Sequence, residues 1–310
     1  MESFVTLLNS TYIPQGLALY ISMERNISEF RLWFICMDQD CFVFLSSLEL
    51  PNAKCLNFAD LETEELKNVK SERKLNEYFW TVTPYTIRFV FEKDQQINRI
   101  TYVDADLWFM KNPIPIFEEF KQSGKSVLIT RHAYSPENDL SMITGKFCVQ
   151  FIIFDRSDGE KVRKWWEKKC IEWCYDRFED NKFGDQKYLD IWPVMFENEV
   201  HILSHQELTL APWNATRFPY SDAIFFHFHG LKIISSKKIE IGDYHIPLSV
   251  INYVYLPYLR DLRLAQRKMS KSGFILIPQT KKLRFLKKWI QVLRRVITKI
   301  RYVDGRMKWD

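Results

Sequence analysis

The sequence lacks the segments that mark secreted or membrane-spanning proteins. Met1 to Asn26 contains acidic residues and no basic region followed by an apolar stretch, so it does not have the form of a signal peptide. No apolar run approaches the roughly 18 residues that a membrane-spanning helix needs. The longest candidates are short pieces such as Cys41 to Leu45 and Ile224 to Phe228. We therefore expect a cytoplasmic protein that does not span a bilayer.

Cysteine, glycine and proline are also scarce. The six cysteines lack paired CxxC spacing, so we expect reduced, mostly buried thiols rather than disulfides or a zinc site. Nine glycines and twelve prolines are scattered along the chain, and no stretch before residue 265 has the composition of a linker. Because 46% of the residues are hydrophobic, the chain can bury a large core. We expect one domain over residues 1–265.

Basic residues are concentrated near the end of the chain. Residues 281–301 contain nine lysines and arginines and no acid, and because the whole chain has a formal charge of +5, the remainder carries −4. Binding of nucleic acid by the main domain is therefore not expected. A helical stripe of large apolar side chains crosses the same region, formed by Leu286, Trp289, Ile290, Leu293, Val296, Ile297 and Ile300.

This composition predicts a basic amphipathic helix in a C-terminal tail, residues 266–310. Such a helix binds an anionic membrane surface, here through residues 281–301. The alternative is a helix that packs on the domain and exposes its basic face to solvent.

Short β-type runs alternate with helical patterns along the main domain. The expected strands are Phe4–Leu8, Leu32–Cys36, Ile100–Val103, Val127–Thr130, Val149–Phe154, His201–Ser204 and Ile224–Phe228. Helical patterns cover Gln15–Arg25, Cys41–Leu48 and Asp158 to about Tyr175, the last with Asp158 as its N-cap. The alternation predicts an α/β domain with a mainly parallel sheet flanked by helices.

Two carboxylates follow the expected strand Ile100–Val103. Asp104 and Asp106 are two residues apart, so in an extended segment both would point the same way, at the carboxyl end of the sheet, where open α/β sheets bind ligands. A hard cation such as Mg²⁺ or Mn²⁺ prefers oxygen ligands and completes its shell with diphosphate oxygens. A turn or capping pair is the alternative, but the β-branched and aromatic residues before the pair favour a metal site.

Two histidines lie in a later apolar strand. Alternation over Ile224–Gly230 places His227 and His229 on one face, where either imidazole could supply a nitrogen ligand to the same metal. Lys232 follows soon after Gly230, at a place where a phosphate could approach. A structural role for a histidine in a strand is the alternative.

Asp185 and Gln186 form the remaining candidate pair. They follow Gly184 at the start of a predicted helix and could hydrogen-bond sugar hydroxyls or present an amide oxygen near an anomeric carbon. Asp185 could equally be an N-cap.

These segments, in this order, resemble the GT-A glycosyltransferases similar to family 8, and especially bacterial sugar transferases of cell-surface polysaccharide synthesis. The resemblance covers residues 4 to about 232. Its most specific segments are TLLNSTYIPQGLALYISMER, WTVTPY, RITYVDADLWF, KFGDQKYLDIWP, LAPWN and HFHGLK. It implies a Rossmann-like GT-A domain.

The resemblance also implies roles for individual residues. By position, Asp104 and Asp106 match the family's metal-binding pair, and His227 matches the histidine of its HxxG ligand motif. Thr6, Asn9 and Tyr12 resemble the first-strand loop that holds the nucleotide base, with Tyr12 as a stacking surface.

The same comparison implies that Asp185 and Gln186 contact the donor sugar and that Lys232 contacts phosphate, although Lys232 is one position earlier than the family spacing. A larger departure lies before the sixth strand. Relatives there read aromatic, Asn, small residue, Gly, whereas this chain reads Phe147, Cys148, Val149, Gln150. We expect this departure to affect the selectivity for acceptor or sugar.

The activity implied is transfer of a sugar from a nucleotide-diphosphate donor to the hydroxyl of a glycan or lipid-linked acceptor, with Mn²⁺ or Mg²⁺ assisting departure of the diphosphate. Retention of anomeric configuration and a peripheral location on the inner face of the plasma membrane are the accompanying expectations. A nucleotidyltransferase making nucleotide sugars is the enzymatic alternative, but Thr6 to Gly16 contains only Gly16 where a glycine-rich phosphate loop is usual. A non-catalytic, basic-tailed binding protein is the other alternative.

Overall fold

The structure is a computed structural model and describes residues 1–236 and 238–279. Its strands are β1 (Glu2–Leu8), β2 (Phe30–Cys36), β3 (Ala53–Asn57), β4 (Arg99–Val103), β5 (Leu107–Phe109), β6 (Val127–Arg131), β7 (Phe147–Asp155), β8 (Val200–Ile202), β9 (Thr209–Leu210), β10 (Phe225–His227), β11 (Lys232–Ser235) and β12 (Lys238–Glu240).

Its α-helices are α1 (Ile13–Asn26), α2 (Gln39–Ser47), α3 (Glu64–Lys70), α4 (Leu75–Lys93), α5 (Ile114–Ser123), α6 (Ser141–Thr144), α7 (Glu160–Glu172), α8 (Trp192–Met195), α9 (Leu248–Val250) and α10 (Leu256–Lys271). A π-helical turn, Ile251–Tyr255, joins α9 to α10. Short 3₁₀ turns cover Ser10–Tyr12, Phe58–Asp60, Pro136–Asn138, Lys187–Ile191 and Gln206–Leu208.

The main sheet has seven strands in the order β3-β2-β1-β4-β7-β6-β8. Strand β7 runs antiparallel to both of its neighbours, and the other adjacent pairs are parallel. The predicted α/β domain with a mainly parallel sheet is therefore confirmed. The carboxyl ends of β1 and β4 meet at one edge, which is where the candidate site lies.

Helices cover both faces of this sheet, and the strands are buried on both sides. Phe4 of β1 belongs to a core cluster with Leu17 of α1, whereas the next residue, Val5, belongs to the opposite cluster with Val82 of α4. Successive side chains of a strand point to opposite faces, so a strand covered on both sides needs apolar residues at nearly every position.

A second, three-stranded sheet, β5-β10-β9, lies beside the candidate site. Strand β10 runs antiparallel to β5, with His227 opposite Leu107. Helix α10 lies against α1 and the start of this sheet, because Asp261 accepts hydrogen bonds from Arg25 Nη2 at 2.8 Å and from Trp108 Nε1 at 2.8 Å.

The predicted boundary after residue 265 falls within α10. The basic stretch 281–301 lies outside the described residues, so the division into domain and tail stays a prediction. Within residues 1–236 and 238–279, no helix is long and apolar enough to cross a membrane.

One helix boundary predicted from sequence is wrong. Helix α7 begins at Glu160 with Gly159 as its N-cap, and no side chain caps it, so Asp158 does not have the predicted role. A Cβ at position 159 would lie 2.5 Å from the Asp155 carbonyl oxygen, so glycine makes the tight entry to this helix. The expected free thiols are confirmed: all six cysteines are unpaired, and all but Cys55 are buried.

Candidate metal and nucleotide-sugar site

Asp104 and Asp106 lie in a turn between the two sheets. Strand β4 ends at Val103, and Leu107 N donates to Asp104 O at 3.0 Å before β5 begins. The extended geometry predicted for this pair is therefore wrong. The turn is nevertheless what brings the carboxylates together, because it reverses the chain at the edge of the main sheet.

His227 completes the group. Its Nε2 atom lies 3.1 Å from Asp106 Oδ1 and 3.5 Å from Asp104 Oδ2. One ligand atom from each of the three residues lies within 4.8 Å of the others, and no other such group of His, Cys, Asp and Glu occurs in the part of the chain that the structure describes. The pairing of β10 with β5 places this histidine there, and Phe228 N donates to Asp106 O at 2.9 Å.

The three side chains strongly affect one another's ionisation. Burial disfavours the charged form of His227, but Asp106 and Asp104 outweigh it and raise the pKa of the imidazole well above its usual value. Burial and the neighbouring Asp106 raise the pKa of Asp104 despite His227. Burial also opposes ionisation of Asp106, but its contact with His227 lowers its pKa. Without a metal, a proton on His227 therefore compensates the two carboxylates.

Two neighbours position these side chains. The Tyr102 hydroxyl donates to Asp104 Oδ1 at 2.9 Å, and Gln150 Oε1 lies 2.8 Å from His227 Nδ1. Neither was predicted as a site residue. Because side chains two residues apart in a strand point to the same face, the position of Tyr102 two residues before Asp104 is a signal that could have identified it as a site residue. Gln150 was noted only because it differs from the family pattern.

His229 lies near the group but outside it. Its ring centroid is 5.8 Å from that of His227 and 5.5 Å from that of Trp213. Burial lowers its pKa to about 4, and the charge on His227 adds to this effect. Of the two predicted histidine ligands, the structure thus brings His227 to the carboxylates, and His229 is a neutral neighbour.

Asp185, the first residue of the candidate pair with Gln186, lies close enough to Asp104 for their charges to interact. Burial raises the pKa of Asp185 to about 8, and the charge of Asp104 adds to the shift. Nearby backbone N–H groups and Thr83, whose hydroxyl donates to Phe79 O at 3.1 Å, only partly offset it. Gly184 precedes the pair with φ +52°, and a Cβ there would lie 3.2 Å from the Trp80 ring. Instead of the predicted α-helix start, a 3₁₀ turn begins at Lys187. Thr83, inside the quoted WTVTPY segment, was not predicted as a site residue.

The loop after β1 also reaches this region. The buried Thr6 Oγ1 and Asn9 Oδ1 have no hydrogen-bond partner among the described residues. Burial raises the pKa of Tyr12 to about 12, and Asp106 and Asp104 add to the shift, which places its hydroxyl near the carboxylates. Asp38 holds the loop by accepting bonds from Ser10 N and Ser10 Oγ, each at 2.9 Å.

Lys232 begins β11, close enough to His229 for its charge to lower the pKa of that imidazole. The structure thus groups Asp104, Asp106 and His227 and brings Tyr12 and Asp185 close enough for the charge of Asp104 to raise their pKa values.

The donor set of this turn fits a hard divalent cation. Two carboxylates and one imidazole can hold a divalent cation and leave positions for phosphate oxygens. Two like charges this close are unfavourable unless a cation or a proton compensates them, and His227 carries that proton in the metal-free protein.

Sequence comparison shows relatives in Bacillus subtilis strain 168. The chain is 30% identical over 259 residues to the uncharacterized protein YfnF, covering 77% of this chain and 84% of that protein. It is 26% identical over 277 residues to the uncharacterized protein YfnD, covering 84% and 88%. No protein-family model matches the chain.

Structural comparison shows the fold. The galactosyltransferase LgtC, solved with donor and acceptor sugar analogues, is similar with a TM-score of 0.52 at 11% identity, covering 89% of this chain and 98% of that one. The glycosyltransferase GlyE of Streptococcus pneumoniae TIGR4 is similar with a TM-score of 0.51 at 12% identity, covering 90% and 66%. The resemblance to GT-A glycosyltransferases of the family 8 type is confirmed at the level of the fold. The chain therefore belongs to the same family as Bacillus subtilis YfnF and has the GT-A glycosyltransferase fold.

Proposed function

We propose that this chain is a metal-dependent glycosyltransferase that moves a sugar from a nucleotide-diphosphate donor to an acceptor hydroxyl. The observation that carries the proposal is the convergence of Asp104, Asp106 and His227 within 4.8 Å at the carboxyl edge of a GT-A sheet. The GT-A fold by itself would permit other activities. The group of Asp104, Asp106 and His227 is what favours a metal-dependent transfer.

Asp104, Asp106 and His227 would hold Mn²⁺ or Mg²⁺. The cation supplies positive charge that neutralises the diphosphate and assists its departure. The protein's own contribution is to hold the three ligands in place: Tyr102 orients Asp104, and the β5–β10 pairing fixes the approach of His227.

The remaining residues are assigned by their places around this turn. Thr6 and Asn9 have buried polar atoms free to bind a base or ribose, and Tyr12 offers a half-exposed ring for stacking. Lys232, whose charge reaches His229, would contact the diphosphate together with that histidine. These five contacts would define the nucleotide subsite.

Asp185 and Gln186 would contact the donor sugar. With a pKa raised to about 8, Asp185 is largely protonated at neutral pH in the metal-free protein and can donate a hydrogen bond to a sugar oxygen. Gln186 provides an amide that can both donate and accept. Retention of anomeric configuration, and an acceptor that is a glycan or lipid-linked sugar of the cell surface, follow from the resemblance to family 8.

A panel of nucleotide sugars, scored for release of nucleoside diphosphate with Mn²⁺, Mg²⁺ or EDTA, tests the proposal. We expect release with one donor, dependent on the metal and stimulated by acceptor glycans. A nucleotidyltransferase would instead consume nucleoside triphosphate and sugar phosphate and release pyrophosphate. Metal-independent release, or none with any donor, would contradict the proposal.

The basic stretch 281–301 supports a second part of the proposal, a peripheral location on anionic membrane. Nine cations, each contributing about 1 kcal/mol near such a surface before screening, provide a strong attraction. We expect deletion of residues 281–310 to lower binding to phosphatidylglycerol-containing vesicles and to leave turnover of a soluble acceptor unchanged. Equal vesicle binding by the full chain and the deletion variant would refute this location.

A further inference from the structure

Gln150 occupies the position in the main sheet that faces the carboxylate turn. It lies in β7, the strand antiparallel to β4, and its carbonyl oxygen accepts a hydrogen bond from Asp104 N at 3.1 Å. Its side chain is fully buried. A buried amide needs hydrogen-bond partners, because an unpaired one costs stability.

The side chain of Gln150 has one partner, and that partner is His227. Its Oε1 atom lies 2.8 Å from His227 Nδ1, and its Nε2 atom has no partner among residues 1–236 and 238–279. A carboxamide oxygen can only accept a hydrogen bond, so Nδ1 must carry the hydrogen. In a neutral imidazole with hydrogen on Nδ1, the lone pair is on Nε2.

The Nε2 atom faces the two carboxylates, and its lone pair becomes available to a cation once the proton held there in the metal-free protein is displaced. Nε2 lies 3.1 Å from Asp106 Oδ1 and 3.5 Å from Asp104 Oδ2, on the opposite side of the ring from Gln150. Without a bond at Nδ1, the ring could rotate or adopt the other tautomer, with its Nε2 hydrogen pointing at the place a cation would occupy.

We propose that Gln150 is a positioning residue that fixes the tautomer and orientation of His227, and so sets the affinity of the Asp104–Asp106–His227 group for a divalent cation. This inference rests on the proposed metal site. Through its backbone carbonyl Gln150 also holds the Asp104 peptide, so one residue of β7 orients ligands from two separate chain segments. Partners of this kind typically change metal affinity by about 10- to 100-fold when they are removed.

The position is also where the chain departs from the family pattern at Cys148–Gln150. Cys148 lies close enough to the same imidazole to help raise its pKa. The two side chains that differ from the family pattern, Cys148 and Gln150, therefore both lie beside His227. The sequence led us to expect an effect on selectivity, whereas in our proposal these residues act on the metal-ligating histidine.

The test compares Gln150→Met with Gln150→Glu by direct titration with Mn²⁺, following free Mn²⁺ by electron paramagnetic resonance. Methionine keeps the length of the side chain and removes the acceptor, so we expect binding to weaken about 10- to 100-fold. Glutamate keeps an acceptor at the same place and adds a negative charge, so we expect affinity at least as high as that of the native chain. Gln150→Ser, which is too short to reach Nδ1, should weaken binding like methionine and replaces it if the Met variant does not fold.

A double-mutant cycle with His227→Ala separates positioning from a general structural effect. If Gln150 acts through His227, Gln150→Met costs less than about twofold once the imidazole is absent. Thr101→Val, a polar-to-apolar change at a buried position of β4, is the matched control and should bind Mn²⁺ like the native chain.

Each outcome decides the inference. Native affinity in the Met and Ser variants, equal losses in the Met and Glu variants, or the same loss with and without His227 would overturn the role of Gln150 while leaving the metal site intact. A native chain that binds no Mn²⁺ would overturn the metal site itself, and the role of Gln150 with it.

Discussion

Strand β4 has charged residues at both ends, and the two ends are built in opposite ways. At its start, Arg99 pairs with Glu2 of β1, with Nε 3.2 Å from Glu2 Oε2, and lies over the Phe117 ring at 5.4 Å. At its end, two carboxylates meet in one turn with His227. In the first arrangement a cation is already part of the protein: Arg99 pairs with Glu2 and also opposes the rise in the pKa of the neighbouring Asp155, which burial raises to about 6.

In the second arrangement the two carboxylates need a proton on His227 or a bound cation to compensate them. Burial and the charge of Asp106 raise the pKa of Asp104, which means that its ionised form is disfavoured in the folded metal-free protein. Like charges held together at a cost to stability are typical of binding sites rather than structural contacts. Variants at the two ends of β4 should therefore behave differently, with the largest effect at the carboxylates.

Replacing Asp104 should abolish activity without loss of stability. In Asp104→Asn, the cation loses a charged ligand and several kcal/mol of stabilisation of the leaving diphosphate, so we expect turnover to fall about 1000-fold or more. The melting temperature should not decrease, because the lost charge is one that the fold disfavours. Diphosphate release and thermal unfolding measure the two effects. Near-normal turnover in this variant would count against the site.

Metal binding should strengthen as pH rises. The cation must displace the proton that Asp106 and Asp104 hold on His227, and their charge keeps the pKa of the imidazole well above its usual value. Below that pKa, the apparent affinity for Mn²⁺ should therefore increase about tenfold per pH unit. Titrations between about pH 6 and 8 measure the slope. His227→Gln should bind more weakly and with a much shallower slope, and a flat profile in the native chain would contradict the displacement.

The segment after α10 should affect nucleotide binding more modestly. Gln279 Oε1 accepts from Gln15 Nε2 at 3.1 Å and from Ile233 N at 3.0 Å, and its Nε2 donates to Thr11 O at 3.2 Å. Gln279 thus links the loop after β1 to strand β11.

Losing these bonds in Gln279→Ala should raise the KM for the donor about three- to tenfold with little change in kcat, since one or two hydrogen bonds contribute about 0.5–1.5 kcal/mol each. Gln96→Ala, an exposed glutamine near the start of β4, is the control. An unchanged KM in the first variant would show that this link does not support the nucleotide subsite.

The smallest effect is expected at the start of β4. Arg99→Met removes a partly exposed ion pair, so we expect a loss of up to about 1 kcal/mol of unfolding free energy and a decrease of about 2 °C or less in melting temperature. Turnover and Mn²⁺ affinity should stay at native values. A large loss of activity here would remove the distinction between the two ends.

Residues close together in sequence were predicted most successfully. Asp104 and Asp106 were identified from their spacing after a β-branched strand, although the geometry assumed for them was wrong, because a turn rather than an extended strand carries the pair. His227 was proposed together with His229, and alternation alone could not separate them. The pairing of β10 with β5 separates them, since it places His227 opposite Leu107, one residue after Asp106.

Residues that act through distant contacts were not predicted as site residues. Thr83 belongs to α4, and it lies near Asp185 only because of the way in which α4 packs in the folded domain. Gln150 was visible only as a departure from a pattern, because nothing in its local sequence indicates that it faces His227, 77 residues later in the chain.

The sequence by itself determined the α/β alternation, the period of each strand and the residue types at the site, because these depend on side-chain chemistry and on neighbours a few positions away. The tertiary structure decided that β7 runs antiparallel, that a turn carries the carboxylates and that Gln150 meets His227. Those features depend on contacts between distant segments, whose free energy is set by packing of the whole domain and has no signature within any short stretch of chain.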